Sequence, residues 1–150
     1  KLYDELKNDF PELSERTLVL TSCIAGLLAR VAYVDLELHE EEIAQVKHSI
    51  EGFEFGEEIN PGQVAKIATS HIKEMAGLEN HLYAGPLKEY LTKEDRFVVL
   101  KSLFLVAASD GEVENIESEE IRLINKGLEL SNQHFLAARA EVVQYIKALK

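Results

Sequence analysis

Apolar residues recur along this chain at the three- and four-residue spacing of amphipathic helices, and no stretch of useful length alternates as a strand would. The pattern predicts eight helical segments. The first covers about residues 2–10, followed by a long apolar helix over 14–34 and a third over 39–52. Asn60-Pro61 has the form of an N-cap with proline at the first helical position, opening a helix that runs to about residue 76. A shorter helix is expected over 82–91. Thr92 then caps a helix to about Ser109, with Glu94 and Asp95 in the first turn, where the helix dipole favours negative charge. A seventh segment spans 116–130, and Ser131 caps the last, which places Phe135, Val142, Val143 and Ile146 on one side. Each proline (Pro11, Pro61, Pro86) is placed to punctuate a helix start. The expected fold class is an all-α, single-domain bundle of about seven to eight helices covering residues 1–150.

Two helix-to-helix corners echo one another. Shifting the first half by 75 positions superposes Leu28 on Leu103, Val31 on Val106, Asp35 on Asp110, Glu37 on Glu112, Leu38 on Val113 and Glu42 on Glu117. The shared unit is an apolar helix ending at Asp, then Asp-x-Glu-(Leu/Val)-x-x-x-Glu, within repeat units of about 18–52 and 93–130. Gly111 suits a reversal that needs positive φ; Leu36 stands there in the first copy, so the two turns are expected to differ in shape.

Two readings of this unit stand side by side. Asp accepts backbone N–H bonds in a turn, Leu38 and Val113 plug the core, and Glu42 and Glu117 lie where an N3 glutamate closes a capping box, although His39 and Glu114 are poor N-caps. Alternatively, two carboxylates from each turn would supply a hard divalent cation if the bundle brings the turns together. Neither turn is an EF-hand: counting from Asp110, position six is Asn115 and position twelve is Ile121. No Glu-x-x-His supports a di-iron site, and the histidines lack a zinc spacing; His71 and Glu74 are expected to be a surface pair.

Composition narrows the partners. A net charge of −11 argues against nucleic acid and anionic membrane surfaces, which need clustered Lys and Arg. The single cysteine, Cys23, lies in an apolar run and is expected to be a buried small hydrophobe. Arg16 and Arg30 bracket the longest apolar stretch, so no membrane insertion is expected; with no secretory signal, the expected location is cytoplasmic.

The stretch "VAASDGEVENIESEEIRLINKGLELSNQHFLAAR" resembles the TerB-like (tellurite resistance protein B) family, whose mark is an Ala-rich helix ending in Ala-x-Asp-Gly, a Glu-containing turn and a Glu opening the next helix. "LLARVAYVDLELHEEEIAQV" looks like the same unit, departing at Tyr33-Val34-Asp35-Leu36, and "LYAGPLKEYLTKEDRFVVLKSLFLVA" is similar to the segment before the second copy. The resemblance implies an all-helical domain of about seven helices with an internal duplication, and an acidic surface at the paired turns. Carried over by position, the implied metal cluster is Asp35, Glu42, Asp110 and Glu117, with Glu37, Glu112 and His39 as second choices. It also implies a link to bacterial tellurite and stress resistance through protein partners, including membrane-associated resistance proteins. Three functions are therefore expected in order: a non-enzymatic domain binding a divalent metal of unassigned identity; a metal-free helical scaffold; and a carboxylate or metal hydrolase.

Overall fold

The computed structural model describes residues 2–53, 61–78 and 80–149. Among these residues the chain is helical: α1 (Leu2–Asp9), α2 (Glu15–Ala32), α3 (Glu40–Gly52), α4 (Pro61–Thr69), α5 (Ile72–Ala76), α6 (Asn80–Tyr90), α7 (Lys93–Ala107), α8 (Asn115–Gly127) and α9 (Asn132–Ala148). The all-α expectation holds. Ser14, Thr92 and Ser131 each cap a helix, their hydroxyls accepting the backbone N–H of Thr17 (3.1 Å), Asp95 (3.1 Å) and His134 (3.2 Å). Asn60, expected to cap α4, lies outside the described residues.

The single helix expected over 61–76 is two helices. Thr69 and Ser70 hydroxyls donate to the carbonyls of Lys66 (3.1 Å) and Ile67 (2.6 Å), and the Ser70 and His71 amides bond three residues back. Such local bonds compete with the four-residue ladder and end α4 there. Pro86 lies inside α6 rather than at its start, because α6 begins at Asn80.

Helix α2 is the hub. It is apolar nearly all round, with Ile24, Leu27, Leu28 and Val31 buried, and it packs against every helix from α1 to α8. Two glycines allow close approach. A Cβ on Gly26 would lie 2.3 Å from the Tyr83 ring of α6, and one on Gly127 would lie 3.1 Å from the Ala84 side chain. Tyr83 is fixed in place by its hydroxyl, which donates to the Met75 carbonyl at 2.8 Å.

The repeat units pack as counterparts. Helix α2 packs on α3 and α7 on α8; across the units α2 meets both α7 and α8, while α7 meets both α2 and α3. This exchange places the start of α3 and the start of α8 near one another.

Candidate functional site

Both corners are built in the same way. The Asp35 Oδ1 accepts the Glu37 amide at 3.0 Å, and the Asp110 Oδ1 accepts the Glu112 amide at 3.2 Å, forming two Asx turns. The residue after each Asp has positive φ: 64° at Leu36 and 107° at Gly111. The turns therefore share a shape, contrary to the expectation from the lost glycine. Leu36 is held in the left-handed region by the Asx turn before it and the helix after it, with its side chain 74% exposed.

Each corner then opens a helix with a glutamate reaching back. The Glu42 Oε1 accepts the His39 amide at 3.2 Å, and the Glu117 Oε1 accepts the Glu114 amide at 3.0 Å. This is the glutamate half of a capping box, and it is why His39 and Glu114 serve as N-caps without a side-chain cap bond of their own. Leu38 and Val113 pack against the core beside them, as expected.

Glu42 and Glu117 meet. Each is only 4% exposed, and their carboxyl groups lie within hydrogen-bonding reach of one another. Burial pushes the Glu117 carboxyl up to about 8, with the negative charges of Glu42 and Glu114 adding to the effect. Glu42 is also raised, by burial and by Asp35, but bonds from the His39 backbone and side chain oppose the shift. His39 Nδ1 lies 3.0 Å from Glu42 Oε1, and this hydrogen bond raises the imidazole above its ordinary value. Burial thus favours the protonated form of Glu117, while the bonds from His39 favour the charged form of Glu42.

The remaining expected residues lie outside this contact. Asp35 reaches Glu42 only through space, Glu37 is exposed with its carboxylate 3.5 Å from His39 Nε2, and Asp110 and Glu112 are exposed. Among the described residues, no group of three or more His, Cys, Asp or Glu side chains is gathered closely enough to enclose a metal ion. The donor chemistry fits a narrower site. Two buried carboxyl groups carry hard oxygen donors, and each has one oxygen not used by its capping bond. Magnesium-type ions are commonly held by one or two carboxylates with water completing the shell.

Two polar contacts escaped the sequence reading. The Arg30 Nε of α2 pairs with the Glu120 Oε2 of α8 at 3.0 Å, and its Nη1 also donates to the Leu78 carbonyl beyond α5. His71 is mostly buried rather than on the surface, with Nε2 2.9 Å from Glu5 of α1 and Nδ1 3.5 Å from Glu74. Both join residues far apart in sequence, for which local spacing holds no signal. Cys23 is buried as expected, and desolvation pushes its thiol up to about 12.

The all-helical fold and the duplicated Asp-bearing corners coincide with a family match: residues 21–140 fit the model described as Tellurite resistance protein TerB. The chain belongs to the TerB family. No curated protein and no solved structure matches it. The matched span of this TerB chain runs from α2 into α9 and contains both corners together with the Glu42–Glu117 pair. No helix among the described residues is long and apolar enough to cross a membrane.

Proposed function

We propose that this TerB domain is a cation-responsive interaction module, in which a divalent metal ion binds at the Glu42–Glu117 carboxyl pair and the domain acts through protein partners. One observation carries the reading: two buried carboxyl groups from different halves of the chain face each other at the corner starts. Burial disfavours charge on both carboxyl groups at once, and a cation of charge two would take the place of the Glu117 proton while tying α3 to α8. Asp35, whose charge acts on Glu42, would add negative potential to the ion's surroundings, and Asp110, Glu37, Glu112 and His39 belong to the same two corners. The family description connects the module to tellurite resistance.

The test is thermal denaturation in metal-free buffer and again with millimolar magnesium, calcium, manganese or zinc. Binding to the native state raises the melting temperature by mass action. The rise should be lost in Glu42→Gln/Glu117→Gln and reduced in Asp35→Ala/Asp110→Ala. Unchanged melting with all four ions overturns the metal reading.

The metal-free scaffold is the second reading, favoured by the capping bonds, in which one oxygen of each glutamate already accepts a backbone amide. For the hydrolase reading the support is weaker, since the groove between α3, α7 and α9 is lined by neither glutamate.

A further inference from the structure

A groove of about 700 Å³ runs between α3, α7 and α9. Its walls are largely apolar: Ala44 from α3, Val98 and Leu105 from α7, and Val142, Tyr145 and Ile146 from α9. Side chains of this kind on a finished bundle are expected to be covered, yet Val98 is 44%, Tyr145 56% and Leu149 67% exposed. The α7 residues that line it run from Val98 to Leu105, roughly 11 Å or two helical turns, and Ser109 extends the lining past the end of that helix. Half of the lining residues are polar, among them Glu41, His48, Lys101 and Glu141. Lys101 lies at 3.3 Å from Glu141 and over the Phe97 ring, so its charge is answered within the groove. Glu41 then leaves the rim acidic at the end where α3 begins, beside exposed Glu40, on a chain of net charge −11.

We infer that this groove docks one amphipathic helix of a protein partner, about two turns long at the contact, with aliphatic anchors on one face and Lys or Arg beside them. The apolar walls take anchors at the three- and four-residue spacing of helix-in-groove recognition. The acidic rim selects the basic flank and sets the direction, with the positive end of the helix against Glu41. An acidic amphipathic helix of the same shape would meet like charge, and an anionic lipid surface would be repelled by the whole chain. The inference rests on the reading of the domain as one that acts through partners; it uses no residue of the carboxyl pair and needs no metal.

The experiment uses two fluorescein-labelled synthetic helices with the same leucine face, one flanked by Lys and Arg and the other by Glu. Fluorescence anisotropy is recorded against the full chain at low salt, with and without a chelator. The basic peptide is expected to bind with a dissociation constant on the order of micromolar. Affinity should fall roughly tenfold or more in Val98→Ser/Tyr145→Ser, whose sites are half exposed, so that the variant melts as the parent does. Binding that persists in the chelator supports the groove whatever becomes of the cation site, and a failed metal titration leaves this result standing. The inference is overturned if neither peptide binds at high micromolar concentration, if the acidic peptide binds as well as the basic one, or if the variant binds unchanged. It is also overturned if sedimentation shows the parent to be a dimer that the variant dissolves, since a second copy is then the occupant.

Discussion

Replacing Glu117 by Gln probes the raised carboxyl at the contact of the two halves. In the native protein the Glu117 carboxyl is raised from an ordinary value near 4.5 to about 8, chiefly by burial. A raised carboxyl contributes stability that is fully present below the unfolded value and is lost as the pH climbs through the folded one. The window is therefore about pH 4.5 to 8, and stability falls across it as the pH rises. At about 1.4 kcal/mol per pH unit, the loss amounts to roughly 3–5 kcal/mol, a large part of the stability of a domain this size. Gln keeps the shape, can accept the Glu114 amide and can donate to Glu42, but has no proton to lose. Urea denaturation at a series of pH values, in chelator, should show the parent weakening between about pH 4.5 and 8 by a few kcal/mol more than Glu117→Gln. A divalent cation at pH 8 should restore the parent and leave the variant unmoved. Parallel pH curves for the two proteins would refute the argument, because they would mean that Glu117 ionises without cost.

Other substitutions address the architecture. Leu36→Gly should stabilise the fold by about 0.5–1 kcal/mol by relieving the left-handed strain at an exposed side chain, while Gly111→Ala should cost about 1 kcal/mol; denaturant midpoints read both. Gly26→Ala should cost about 2–4 kcal/mol despite its better helix propensity, because its Cβ would overlap the Tyr83 ring; thermal melts of the single variant and of Gly26→Ala/Tyr83→Leu, which should recover part of the loss, check it. Arg30→Ala should cost about 2–4 kcal/mol by removing the Arg30–Glu120 ion pair, and Arg30→Ala/Glu120→Ala should cost less than the sum of the singles in a double-mutant cycle.

The helices were legible because apolar periodicity and caps are local: Ser14, Thr92 and Ser131 act within three residues of themselves. The break at Ser70 was not, since whether a hydroxyl bonds back to its own helix depends on backbone geometry that composition leaves open. Within the site, the Asx turns and capping glutamates followed from spacing alone. The meeting of Glu42 with Glu117 did not, because it depends on how α2 and α7 pack, across a separation of 75 positions. Leu36 shows the limit of reading a turn from its glycine: the flanking Asx bond and helix impose a left-handed residue even where the side chain resists it.

The likeness of the two corners has a consequence of its own. A glutamate facing its counterpart from an equivalent element is the arrangement found on the axis of an isologous dimer, where identical groups have no basis for dividing one proton between them. Here both halves belong to one chain, and each has been free to change alone. Leucine stands in one corner where glycine stands in the other, and His39 stands opposite Glu114. The symmetry is therefore broken: the imidazole supports charge on Glu42, while burial, with the Glu114 charge adding to it, holds the Glu117 carboxyl up. Two carboxyl groups at equivalent positions of one chain are thereby made unequal.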